Sequence, residues 1–285
     1  MRFIDSHCHV HFNAYKEDMD EVIQRTLEQG TFMITVGTQR DTSRAGLEVA
    51  QRYQGMWASV GLHPNHTVEQ TFWDNDELPP EQQMTLQIKT RCESFDMEYY
   101  RKLVQHPKCV ALGETGLDYY RIPEGVDRQI VIQMQEQTVR AHFDLATEAN
   151  LPVIIHYRDA YVQQAKLIGE YLAAGKLTRR GVIHCFTGTI QEAQSFLEQG
   201  FFISFSGILT FSKELQKVAK ALPLQKLLVE TDSPYLTPVP DRGVRNEPWR
   251  VKYVAQKLAD LHGISLEQVA GQTFENTKQV FGLEI

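Results

Sequence analysis

Two histidines one residue apart, His7 and His9, close the first apolar run of the chain. Alternate side chains of an extended strand share a face, so both imidazoles can reach one metal ion. A lone His-x-His pair is more often structural than ligating, so its meaning depends on partners elsewhere. The chain offers them. His63 follows the apolar run 56–60, Glu114 follows 109–112, His156 ends 152–156, His184 ends 181–184, and Asp232 lies just past 227–230. With His9, these are polar, metal-competent residues at or just past the ends of separate apolar runs. Each has a plainer reading alone: a hydrogen-bonded histidine, a capping glutamate, an aspartate in the turn before Ser233-Pro234. Together they specify a site. Four imidazoles and two carboxylates exceed one tetrahedral ion and suit two divalent ions about 3.5–4 Å apart. Glu114 is then the natural bridge. Asp232 can bind one ion and accept a proton from bound water, whose pKa falls toward ~7 on coordination. Nitrogen and oxygen donors without thiolate admit zinc, manganese, cobalt or nickel, and suit magnesium less well.

Such residues meet only if the chain brings the run ends together. Helix-like segments at 16–29, 42–52, 98–105, 128–149, 161–174, 190–199 and 213–221 alternate with the apolar runs, and closing helices start near Pro248. Eight strand–helix units predict a (β/α)8 TIM barrel as a single domain over 1–285, with the site at the C-terminal mouth of its strands. Strand alternation turns Cys8 and Cys185 away from the site, as packing residues. Segment 65–93, with Trp73, an acidic patch at 74–77 and Pro79-Pro80, is long for a connection and reads as an insertion after strand three. It is expected to contain a turn of helix and either to cover substrate or to be a solvated elaboration.

Composition sets outer limits. A formal charge of -7 argues against a broad basic surface for duplex DNA, but not against a local phosphate site. The cysteines, Cys8, Cys92, Cys109 and Cys185, lack CxxC spacing, which suggests neither a disulfide framework nor a zinc knuckle. No apolar stretch approaches the ~20 residues of a membrane span, and no signal-type segment opens the sequence, so a cytoplasmic location without membrane or obligate protein partner is expected.

Six ordered motifs resemble the TatD deoxyribonuclease family, a branch of the metal-dependent amidohydrolase superfamily. They are Asp5-Ser6-His7-Cys8-His9, Gly61-Leu62-His63-Pro64, the run from Leu112-Gly113-Glu114 through Thr115-Gly116-Leu117-Asp118-Tyr119-Tyr120, the run from Pro152 to Ala160 around His156, His184-Cys185-Phe186-Thr187-Gly188, and Glu230-Thr231-Asp232-Ser233-Pro234-Tyr235-Leu236. The resemblance implies a barrel with two divalent metals that hydrolyses phosphodiesters, often as a 3'-5' exonuclease on single-stranded DNA. By motif, it implies that His7, His9, Glu114 and Asp232 hold one ion and Glu114, His156 and His184 the other, with His63 facing the substrate phosphate. Segment 65–93 departs from the family pattern in its greater length, which bears on substrate size and access.

Residues near these motifs extend the reading. Arg158 is a candidate phosphate contact or an ion-pair partner of Asp159 or Asp118. Tyr119, Tyr120 and Arg121 can stack on a base or pack a loop. Arg242, Arg245 and Asn246 fall in the loop after the last strand, for phosphate or for solvent. Glu230 shares the face of Asp232 and can hold a ligand histidine. Two other functions compete with the nuclease: hydrolysis of a small ester, lactone or amide at the same metals, and a non-catalytic metal-binding scaffold.

Overall fold

The computed structural model describes residues 1–73 and 87–285. The alternation predicted from the sequence is present. Strand β1 (Phe3–Cys8) leads to α1 (Met19–Glu28), β2 (Thr31–Val36), α2 (Arg40–Gln51) and β3 (Met56–Val60). An antiparallel ribbon of β4 (Thr71–Trp73) and β5 (Gln87–Lys89) stands outside the main sheet and precedes α3 (Met97–Leu103). Then follow β6 (Cys109–Asp118), α4 (Arg128–Ala149), β7 (Val153–Arg158), α5 (Tyr161–Ala173), β8 (Gly181–Ile183), α6 (Ile190–Glu198), β9 (Phe202–Phe205), α7 (Lys213–Ala221), β10 (Leu227–Val229), α8 (Val251–His262) and α9 (Leu266–Phe281).

Eight strands form one sheet in the order β1-β2-β3-β6-β7-β8-β9-β10, and every pair in it is parallel. The chain is a (β/α)8 barrel. Its two outer strands meet through individual bonds: Asp232 N–H to His7 O at 2.9 Å and His9 N–H to Ser233 O at 2.7 Å. The buried Asp5 carboxylate reinforces the seam, accepting from Thr231 N–H at 2.9 Å, Thr231 Oγ1 at 2.5 Å and His7 N–H at 3.2 Å.

Two apolar clusters hold the barrel. One joins strand residues such as Phe3, Met33, Leu112 and Ile155 to the inner stripes of the helices. The other joins Ile4, Ile34, Ile154, Val182, Phe202 and Leu228 to Phe274 and Phe281 of α9. Helix starts follow local chemistry: Asp127, Thr189, Ser212 and Ser265 each accept a first-turn N–H. Gly263 and Gly282 end α8 and α9 at positive φ.

Two expectations change. The fourth barrel strand does not stop at Leu112 but runs to Asp118, so Glu114 lies within β6. Gly113 and Gly116, which resemble a strand end in sequence, let β6 pass close to β7: a Cβ on Gly116 would lie 1.7 Å from His156 O. Segment 65–93 does carry a helical turn, the 3-10 turn Pro64–His66, but also the β4–β5 ribbon. Its acidic patch at 74–77 and Pro79-Pro80 lie outside the described residues.

Candidate metal centre

Each site residue is delivered by the C-terminal part of a barrel strand or the residues just after it. The delivery is not simple alternation. Phe3 packs toward the helices and Ile4 belongs to the other cluster, so strict alternation would send Asp5 and His7 with Phe3. Pairing of β1 with β2 shifts register between Asp5 and Cys8, and pairing of β6 with β7 shifts between Leu112 and Thr115. Such irregularities re-aim side chains. Here they flank His7 and Glu114, and both side chains reach the same centre.

The result is a buried cluster around the Glu114 carboxylate. Glu114 Oε2 lies 3.4 Å from His7 Nε2 and 3.9 Å from His9 Nε2. Asp232 Oδ1 lies 3.5 and 3.3 Å from the same two nitrogens, which are 3.3 Å apart. Glu114 Oε1 faces the other way, 2.8 Å from His184 Nε2 and 3.2 Å from His156 Nδ1. The rings of His7 and His184 stack at 4.0 Å between centroids, joining the two halves. His9 rests on Phe12 at 4.4 Å.

Hydrogen bonding shows what these atoms lack. His9 gives its Nδ1 proton to Val36 O at 2.8 Å, so in the neutral ring Nε2 presents a lone pair to Asp232. His156 Nε2 faces Asp118 Oδ2 at 3.3 Å, which leaves the Nδ1 lone pair aimed at Glu114. Acceptors confronting acceptors at these distances require cations between them, either protons or metal ions. The donor set therefore fits divalent ions. His63 differs: its Nδ1 accepts the Asn65 N–H at 3.1 Å, so the neutral ring carries its proton on Nε2, 3.3 Å from Glu114 Oε1. It is a donor at the edge of the cluster.

Burial opposes charge on every group here. Even so, the charges of His184 and His63, with hydrogen bonds from His156 and His184, hold Glu114 well below the usual carboxylate range. Asp232 is held low, against burial, by His9 and His7. Against the same penalty, Asp118 and Glu114 lift His156 to about 9, and Glu114 with Glu230 raises His184. Burial pushes His7 and His63 down. The carboxylates thus stay ionised.

The cluster forms part of the wall of a cavity of about 820 Å3, within the range of small-molecule sites. Arg158, Arg121, Lys89 and Thr90 line the same cavity. Arg158 stacks on Tyr120 at 3.8 Å, while Tyr119 packs against the core and Tyr120 is about half exposed. Arg245 pairs with Asp18 at 2.6 Å and covers Tyr15, and Asn246 is fully buried, bonding Thr231 O and Tyr235 O. They brace the loop after β10, Asn246 from within the core and Arg245 with part of its side chain at the surface. Arg242 lies on Phe211.

The cysteines divide. Cys8 is buried in the core, as expected. Cys185 is not; it is half-buried in the cavity wall, 3.2 Å from Ser206 Oγ. It lies beyond the end of β8 with φ 43°, where strand alternation no longer applies. The residue that sequence reasoning passed over is Asp118, considered only as a partner for Arg158. Its spacing from Glu114 and Gly116 along one strand was the available signal, hidden by ending the strand early.

Comparison with known proteins agrees with this architecture. The family model described as "TatD related DNase" matches residues 4–282. An uncharacterized metal-dependent hydrolase, YabD of Bacillus subtilis, is 35% identical, covering 97% of this chain and 98% of its own. The 3'-5' ssDNA/RNA exonuclease TatD of Shigella flexneri is 30% identical, covering 95% of each. The crystal structure of the Escherichia coli TatD homologue YJJV superposes with a TM-score of 0.81 at 27% identity, over 99% of both chains. Ordered motifs, barrel and buried donor cluster thus converge, and the chain belongs to the TatD-related DNase family of metal-dependent hydrolases.

Proposed function

We propose that this chain is a two-metal deoxyribonuclease that removes nucleotides from the 3' end of single-stranded DNA. One observation carries the reading: Glu114 turns its two oxygens toward different histidines, Oε2 to His7 and His9 and Oε1 to His156 and His184, as a bridging carboxylate must. His7, His9, Asp232 and Glu114 Oε2 would hold one divalent ion, and Glu114 Oε1, His156 and His184 the other. Bound ions would lower the pKa of water and offset charge on the phosphoryl oxygens. Zinc, manganese, cobalt and nickel suit the donors best.

The protein's own groups do the rest. Asp232, kept ionised, accepts the proton of the attacking water on its carboxylate. His63, whose proton the Asn65 N–H keeps on Nε2, would turn that proton from Glu114 Oε1 to the phosphate. Arg158, at the cavity wall, contacts the same group. Segment 65–93 shapes access, since Lys89 and Thr90 line the cavity. These cations create a local phosphate site on a chain of net charge -7. The name of the Shigella relative supports the same substrate class.

The test is 5'-labelled single-stranded DNA incubated with metal-stripped protein and added manganese. Progressive shortening from the 3' end, lost on chelation, is expected. Absence of cleavage alongside chelator-sensitive hydrolysis of a small ester or lactone would overturn the nuclease reading and leave the hydrolase.

A further inference from the structure

The two ion positions of that reading, on which this inference rests, are backed in different ways. On the His7–His9 side the outer contacts are not carboxylates. His9 Nδ1 meets the backbone carbonyl of Val36 at 2.8 Å, and His7 Nδ1 is buried with no hydrogen-bond partner among the described residues. On the other side both outer nitrogens face buried acids. His156 Nε2 is hydrogen-bonded to Asp118 Oδ2 at 3.3 Å, while His184 Nδ1 lies 3.4 Å from Glu230 Oε1, within ion-pair distance but without an aligned hydrogen bond among the described residues.

Both acids are held in place. Asp118, 1% exposed, accepts the N–H groups of Tyr120 and Arg121 on its other oxygen, at 3.0 and 2.9 Å. Glu230, fully buried, accepts the Cys185 N–H at 2.7 Å. A carboxylate behind a ligating imidazole fixes its tautomer and orientation and makes its inner nitrogen a better donor. For His156 the effect is definite: Asp118 draws the ring proton to Nε2 and leaves Nδ1 open toward Glu114.

We propose that Asp118 and Glu230 are positioning residues for one ion only, the one between Glu114 Oε1, His156 and His184. Affinity at the His7–His9–Asp232 position is then independent of them. The two ions become separately adjustable, one through a directly ligating aspartate and the other through acids that never touch metal.

The test measures zinc affinity by chelator competition on metal-stripped protein, with circular dichroism to confirm folding. Wild-type protein should bind two ions, and His9→Gln should keep one tightly. Adding Asp118→Asn or Glu230→Gln to His9→Gln should weaken that remaining ion roughly 10–100-fold. The same changes added to His184→Gln should leave its remaining ion unaffected. Asp118→Glu should restore part of the loss, which a purely structural role in the 119–121 turn does not predict. Glu230→Gln, nearly isosteric, keeps the proposal testable if Asp118→Asn fails to fold. Unchanged affinity in the His9→Gln background, or equal weakening of both ions, would overturn the positioning role while leaving the two-metal reading intact. Failure of wild-type protein to bind zinc would instead overturn the reading beneath it.

Discussion

In the proposed mechanism Glu114 and Asp232 carry different tasks, although both are buried carboxylates within reach of His7 and His9. Among the described residues Glu114 is enclosed by five imidazoles, while Asp232 lies within ion-pair distance of His7 and His9 only. The freer carboxylate is the better proton acceptor. Asp232→Asn should lower kcat by about 10²–10⁴-fold, the usual worth of a general base, with the far-UV circular dichroism of the metal-free protein unchanged. Retained turnover would remove Asp232 from that role. Arg158→Ala should lower kcat/KM on single-stranded DNA by about 10–100-fold, the value of a charge-assisted hydrogen bond of about 1.5–3 kcal/mol. Steady-state kinetics with labelled DNA checks both. At this scale much was legible beforehand. His7, His9, Glu114, His156, His184 and Asp232 stand out because imidazole and carboxylate seldom follow one apolar run after another without a use. The proton placement of His63, which separates it from the other histidines, was not legible, because it depends on the Asn65 N–H that meets its Nδ1.

Among the elements, the close fit of β3, β6 and β7 decides whether Glu114 can stand at the centre. A Cβ on Gly61 would lie 2.6 Å from Gly113 C and 2.9 Å from Glu114 N, both backbone atoms. Gly61→Ala must therefore move the segment bearing Glu114. Because displacement by about 1 Å can cost about 10²-fold in rate, Gly61→Ala should lose activity on that order while far-UV circular dichroism stays barrel-like. The β1–β10 seam makes a separate claim. Asp5→Ala leaves three buried donors without their acceptor, two backbone N–H groups and the Thr231 hydroxyl. The expected loss is about 3–9 kcal/mol by urea denaturation, since each unsatisfied buried group costs about 1–3 kcal/mol. The apolar runs located nearly every strand, and the helix-like segments between them located the helices. The length of β6 and the β4–β5 ribbon were missed. Gly113 and Gly116 look like punctuation, and their tolerance of close backbone contact shows only once β7 lies beside them.

Across the whole molecule, buried neutral histidines outside the proposed ligand set govern behaviour in acid. His142 is fully buried, giving its Nδ1 proton to Thr138 O and accepting the Leu62 N–H, and burial pushes its pKa down to about 3. An unfolded chain takes up that proton near pH 6.5 while the native state refuses it. The stability involved is therefore fully present above about pH 6.5 and is lost as pH falls toward about 3, at about 1.4 kcal/mol per pH unit. His142→Gln should flatten the acid limb of the metal-free protein by about that slope, read from urea midpoints between about pH 6 and 5. An unaltered slope would mean that His142 does not set the acid limb.

Residue type and order were enough to establish a barrel, its eight strands and the donors near their ends, because hydrophobic periodicity and run-end chemistry are local properties of a chain. Tertiary structure alone decided which oxygen of Glu114 faces which histidines, how Asp118 and Glu230 stand behind His156 and His184, and why Cys185 lines the cavity. The physical reason is the departure of the strands from strict alternation. Register shifts beside His7 and Glu114 arise from pairing between strands far apart in sequence, and a shift of one residue there exchanges the centre for the packed layer behind it.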